Sequence, residues 1–323
     1  MIIGLEGLKE VYKMDEISRL LNIPYIKLHF ELALQEDCIL SANKASALRG
    51  GMGQMLLRSC CVQDRDCENC IFSNECLVQR IMYSPFDIKP FFVTKGESMG
   101  FHLECENYQR GFSAGDSLHF QMTLFGKAIV YFYQILQAFY MLGQEGLGER
   151  RAKYLVARVT NTNREVIVED TMIDMSRYRI RSLNEYVDYR FNRAGKRQEN
   201  RMLFHTPVSI KYNKTMQTEL TPEAVLAALC RRIYMFDCYA GIETEQLDLA
   251  DRIPIMTDQM SRPSVVRRHS TTHGHDIVLR GIKGYMDFEE IDPDLRKLLY
   301  AGEIMHIGKN TRFGFGRYTM VEP

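Results

Sequence analysis

An α+β fold built from two copies of one unit, each running strand, helix, strand, strand, helix, strand, is what this sequence predicts. Three observations carry that prediction. Apolar and polar residues alternate over segments of strand length. Stripes of helical spacing follow them. The order found in the first half of the chain then repeats in the second.

The first strand starts at Tyr25. Ile26, Leu28, Phe30, Leu32 and Leu34 share one face and Lys27, His29 and Glu31 the other, and strict period two means one buried face. Over Ser41–Ser59 the spacing turns helical, with Leu48, Met52, Met55 and Leu56 on one side. Phe101, Leu103 and Cys105 alternate again, as do Leu118, Phe120, Met122 and Leu124 after the turn-forming Ser113-Ala114-Gly115-Asp116. Residues 127–142 read as a mostly buried helix. A loop with Gly146 and Gly148 follows, then the basic Arg150, Arg151 and Lys153 and a strand near Tyr154–Val159.

In the second half a strand covers 202–212. Thr221-Pro222-Glu223 opens a helix, with a capping hydroxyl and Pro at the first helical position, and Gly241 closes it. His275–Leu279 and Ile282–Phe288 read as two strands or one bent ribbon. Asp292-Pro293 starts a short helix through Leu299, and a glycine-rich loop leads to a last strand, Arg317–Val321. Both halves end on helix, glycine loop, basic residues and strand. The expected layout is therefore an extension helix over 1–22 and a ferredoxin-like domain over 23–160 with a Cys-rich insertion at 60–76. A polar connector over 161–200 leads to a second ferredoxin-like domain over 201–323.

Length and composition limit the function. The 323 residues suffice for two domains with their own cores, and 46% hydrophobic with 25% charged residues describes a folded chain. The 41 Lys+Arg balance 41 Asp+Glu, which excludes a wholesale polycation but not a local basic groove. The longest apolar stretch, Gly126–Leu142, contains Lys127, Gln134 and Gln137 and is too short to span a membrane. The N-terminus carries acidic residues where a signal peptide has a basic region. Nine Cys, an odd number, point to a reducing compartment. A soluble cytoplasmic protein with no membrane partner is expected.

Gly308-Lys-Asn-Thr-Arg-Phe-Gly-Phe-Gly-Arg-Tyr318 is the most informative segment. Its glycines permit positive φ and close backbone approach, so its N–H groups can face an anion. Lys309, Arg312 and Arg317 add charge for phosphates, and Phe313 and Phe315 suit base stacking or a core. The loop is not a Walker A motif, because Asn310 follows Lys309 and position 303 is not glycine, nor is it a dinucleotide fingerprint. Between Arg262 and Lys283 stand five Lys/Arg, including Arg267 and Arg268, against the single acid Asp276. A solvated face is the plain alternative there. Cys61-x5-Cys67-x2-Cys70-x5-Cys76 supplies four thiolates that suit a structural zinc site, with an iron–sulfur cluster less favoured and buried free thiols as the alternative.

On Leu48-Arg-Gly-Gly-Met-Gly53, the Cys cluster, Leu142–Tyr154, Phe204-His-Thr-Pro-Val208 and Gly302–Tyr318, the chain resembles the CRISPR-associated endoribonucleases that process precursor crRNA, within the RAMP superfamily. The matching segments span about residues 23–323. The resemblance implies two tandem RAMP (RRM-like) domains and cleavage of CRISPR repeat RNA to guide crRNAs. It also implies attack by a ribose 2′-OH on the adjacent phosphate, with no metal or other cofactor for catalysis, leaving 2′,3′-cyclic phosphate and 5′-OH ends. Such a reaction calls for a base, an acid and cations for the phosphorane charge. His306, just before the loop, His29 on the polar face of the first strand, and Lys95 are the catalytic candidates. The expected RNA contacts are Gly146, Gly148, Arg150, Arg151, Arg267, Arg268, Gly308, Lys309, Arg312, Phe313, Gly314, Gly316 and Arg317. A non-catalytic subunit that binds crRNA among the subunits of an effector complex is the rival reading, and a scaffold without RNA is the third.

Overall fold

The computed structural model of the chain describes residues 21–63, 65, 67, 69–93, 99–270 and 275–323, with the backbone alone at 269, 270 and 276. The expected extension helix, apart from its last two positions, and the candidate Lys95 lie outside the described residues.

The first unit runs β1 (Pro24–Leu34), α1 (Lys44–Cys60), β2 (Phe101–Glu104), β3 (Ser117–Phe125), α2 (Phe132–Glu145) and β4 (Tyr154–Thr160). Its strands lie in the order β2-β3-β1-β4, all neighbours antiparallel, which is the ferredoxin-like arrangement. Period two does what the sequence expects. Leu28, Phe30 and Leu32 are buried under α1 and α2, and Phe30 stacks on its cross-strand partner Phe120 at 4.7 Å. Asn43 caps α1 by accepting from the Ser46 N–H, and Leu48, Met52, Met55 and Leu56 face the core. Gly51 weakens the helix intrinsically, yet a Cβ there would meet the Leu142 methyls at 2.6 Å, so close packing of α1 on α2 requires it.

The stretch expected as a connector joins both domains. Its β5 (Val166–Glu169) and β6 (Met172–Ile173) extend the first sheet past β4, and β7 (Arg181–Ser182) pairs with β1. Helix α3 (Leu183–Ala194) begins with a capping box, Ser182 with Glu185, and belongs to the second domain. There Arg190 is buried between Glu199 at 2.8 Å and Glu303 at 3.0 Å.

The second unit runs β8 (Arg201–Val208), α4 (Pro222–Ala240), β9 (Met256–Ser270), β10 (His275–Phe288), α5 (Pro293–Met305) and β11 (Tyr318–Val321), with strand order β9-β10-β8-β11. This is the order of the first unit again. The sequence reading missed β9, because Pro263 and a polar composition hide it. Pro is tolerated since β9 is an edge strand, paired with β10 alone among the described residues. Helix α5 runs six residues past the expected Leu299. Tyr25, Phe125, Leu183 and Val187 join the core of the second domain, where Phe125 meets Phe236 at 4.8 Å, so one apolar cluster crosses the domain junction. No described helix is long and apolar enough to cross a membrane.

Candidate functional site

The glycine loop lies between α5 and β11 and closes on the backbone. Ile307 N–H donates to Gly316 O, Lys309 N–H to Ser209 O at 2.7 Å, Gly316 N–H to Pro207 O at 2.8 Å, and Arg317 N–H to the Thr206 hydroxyl. Gly316 has φ +76°, and a Cβ there would lie 1.9 Å from Ile307 O. The glycines therefore serve close backbone approach. The N–H groups of Gly314 and Gly316 do not face an anion as the sequence suggests, because they already donate to Thr311 O and Pro207 O. Phe313 and Phe315 are buried, so their rings fill core and are closed to base stacking.

What the loop offers is its cationic side chains. Lys309 and Arg312 line a cleft of about 600 Å³ with Lys211, Lys214, Arg231 and Arg232, and no carboxylate side chain lines it among the described residues. The wall comes from the end of β8 and its following turn, from α4 and from the loop. Arg312 also reaches the ring of Phe313 at 5.3 Å, where Arg49 of α1 (5.1 Å) and Arg268 of β9 (4.5 Å) converge. Burial, reinforced by Arg312 and Arg268, pushes the Arg49 guanidinium down to about 9, which leaves it charged at neutral pH.

At the ends of the loop the charges are paired. His306 starts the loop and Arg317 ends it, and both meet Glu104 of β2. Arg317 Nε is 3.0 Å from one Glu104 oxygen, while Lys27 Nζ at 2.9 Å, His102 Nε2 at 3.4 Å and His306 Nε2 at 3.5 Å surround the other. Arg317 pairs with Glu106 as well. The His102 and His306 rings stack, centroids 3.9 Å apart. Burial would raise the Glu104 pKa, but Lys27 and the two imidazoles hold it well below the usual carboxylate range. Burial drives both histidines down, further for His102 through His306, so they stand neutral. The donor atoms of His102, Glu104 and His306 lie within 4.8 Å of one another, as a metal site would need. Yet Lys27 and Arg317 already occupy both carboxylate oxygens, and a third cation would repel them.

His306 is thus sealed inside the domain junction, not beside a passing phosphate, which corrects its expected role as a reachable acid or base. Arg317 is likewise neutralised by two carboxylates. His29 does face a cleft, one of about 440 Å³ on the open part of the first sheet, with Glu31, His119, Gln121, Arg158 and Arg317. Burial, then Lys27 and Arg164, lower its pKa against the opposing Glu104. Arg267 is exposed and points away from Arg268, its neighbour on the strand. Gly146, Gly148, Arg150 and Arg151 line neither cleft, and Arg151 pairs with Glu145. Cys61, Cys67, Cys70 and Cys76 are half-buried and form no disulfide, and among the described residues no three of them gather as the ligands of one ion. Sequence reasoning missed Arg49 and Glu104. Their only signal was a charge bordering an apolar stripe at Leu48 and a polar residue alternating with Phe101 and Leu103.

Comparison with known proteins completes the description. Residues 21–183 match the family described as AF_1859_N, N-terminal domain, and residues 202–318 match CRISPR-associated endoribonuclease Cas6. The structure is similar to a Thermus thermophilus Cas6 product complex at TM-score 0.50 and 14% identity, covering 92% of this chain and 99% of that one. It is similar to the partial Cas6-RT-Cas1--Cas2 complex at TM-score 0.55 and 13% identity, covering 92% of this chain and 46% of that one. At these identities the likeness establishes the shared fold. No curated protein matches the sequence.

Proposed function

The chain belongs to the CRISPR-associated Cas6 endoribonuclease family, with an N-terminal half of the AF_1859_N family, and from that premise we propose that it cuts CRISPR precursor RNA within its repeats. The proposed chemistry is metal-independent attack of a ribose 2′-OH on the adjacent phosphate. It leaves 2′,3′-cyclic phosphate and 5′-OH ends and yields guide crRNAs.

The observation that carries this reading is the cleft along the glycine loop. Lys211, Lys214, Arg231 and Lys309 line one groove that has no carboxylate side chain among the described residues, on a chain whose net charge is zero. A concentration of one sign on a neutral molecule is the footprint of a polyanion. Such a groove tracks an RNA backbone by charge, with affinity that falls steeply as salt rises. Of the candidate acid–base groups, His29 alone combines a described side chain, a place on a cleft wall and a lowered pKa. A neutral imidazole is the form that accepts the 2′-OH proton, so His29 is assigned as the base. Other subunits of a CRISPR effector complex are the partners that fit this role.

The test is end-labelled repeat RNA incubated with the protein in excess EDTA, beside copies with a single 2′-deoxy at each position. Cleavage at one site, abolished by one 2′-deoxy, is the expected result. Tight binding of both RNAs with no cut would select a non-catalytic crRNA-binding subunit instead.

A further inference from the structure

Arg49, Arg268 and Arg312 come from three separate parts of the chain: the first helix of the first domain, the long hairpin of the second, and the glycine loop. All three guanidiniums stand within 5.3 Å of the centre of one ring, Phe313. An aromatic ring has two attractive faces, so three cations cannot each have one to themselves, and the ring alone does not offset their mutual repulsion. The buried Nε–H groups of Arg49 and Arg268 have no hydrogen-bond acceptor among the described residues. Three other half-buried arginines stand against carboxylates. Arg190 has Glu199 and Glu303, Arg201 has Asp287, and Arg317 has Glu104 and Glu106. A folded chain that collects like charges and leaves the Nε–H groups of Arg49 and Arg268 unused among the described residues holds a place for an anion. The planar guanidinium fork fits phosphate oxygens better than any other side chain does.

We infer that Arg49, Arg268 and Arg312, gathered on Phe313, form a pocket for one phosphate group of bound RNA. The inference rests on the RNA-binding reading above and adds a subsite to it. Filling the pocket joins α1, the hairpin and the loop through one anion, so bound phosphate fastens the two domains together.

Two measurements test this. In the first, thermal unfolding of the full chain is followed in chloride and in sulfate at matched ionic strength, for the wild type, Arg49→Met and Arg268→Met. Sulfate is expected to raise the wild-type Tm and to leave both variants unmoved. In chloride the variants are expected to melt at or above the wild-type Tm, because each removes a repelled charge. In the second, affinity for a repeat RNA made uncleavable by 2′-deoxy substitution is measured against salt. Each variant is expected to bind about tenfold more weakly and to lose about 0.7 from the slope of log K on log salt. Variants that keep the wild-type sulfate shift and salt slope would overturn the pocket, as would a lower Tm in chloride, which marks a purely structural role. A wild type that responds to sulfate but binds no RNA would overturn RNA as the ligand and the proposed function with it. RNA binding by the wild type with equal affinity in the variants would overturn the pocket alone.

Discussion

Two charged centres sit beside the same loop and solve opposite problems. Around Glu104, four basic side chains converge on one fully buried carboxylate, and its oxygens are taken from both domains. Around Phe313, three guanidiniums converge on a ring, and two of them keep an Nε–H without an acceptor among the described residues. The first centre is electrostatically closed and holds the domains in register. The second is open to an anion. A count of basic residues does not separate the two, because Arg312 and Arg317 lie in one loop and both look like phosphate ligands. What marks Arg317 is its carboxylate partners, Glu104 and Glu106.

The largest test of that contrast is Glu104→Gln. Removing the charge strands Lys27 in the junction and leaves Arg317 with Glu106 alone, and a broken buried pair costs about 3 kcal/mol or more. Chemical denaturation should show that loss, while Arg49→Met in the same low-anion buffer should lose nothing. Equal destabilisation by both would erase the distinction.

Acid provides the next test. His102 and His306 have folded-state pKa values below the ordinary 6.5, so as pH falls the unfolded chain takes up protons first. Their contribution is complete above about pH 6.5 and is lost as pH drops through the folded values. Glu104, held below its ordinary 4.5, gives way only in stronger acid. Melting temperature should therefore decline below pH 6.5 in the wild type, and His102→Phe should flatten that limb. A wild-type curve level down to pH 5 would show that the imidazoles are not enclosed.

A smaller effect is expected at Lys309→Ala, which removes one cleft cation that forms no ion pair among the described residues and leaves the loop backbone intact. RNA affinity should fall by roughly 1 kcal/mol, with unchanged stability. The smallest concerns Arg158 and Glu169, an exposed pair at the rim of the His29 cleft. Arg158→Ala should alter stability by less than about 1 kcal/mol, and any larger change in RNA affinity would mark that cleft as part of the binding path.

Much of the fold was legible because alternation and helical spacing are local. Leu28, Phe30 and Leu32 announce their face without any partner in view, and Thr221-Pro222 marks the start of α4. Strand β9 was not legible, since an edge strand can carry Pro263 and polar residues without contradiction. The site was harder for a different reason. Alternation places His102 and Glu104 on the face away from Phe101 and Leu103, which a sequence reader takes as solvent. Only the docking of the second domain turns that face into an interior. The same docking buries His306 and Phe313, whose chemistry in isolation suits RNA. Tertiary packing decided which residues of the glycine loop are exposed.

The Glu104 junction also bears on how the molecule is made. A ribosome releases β2 long before His306 and Arg317, more than half the chain later. Until those residues emerge, the Glu104 carboxylate has only Lys27 and His102 from its own domain, and the first sheet keeps an unmatched polar face in water. Domains emerging in this order fold as units and dock afterwards. The chain is therefore built so that its glycine loop and its domain junction are completed in the same late step of synthesis. The loop, once released, is locked at both ends by a partner already waiting.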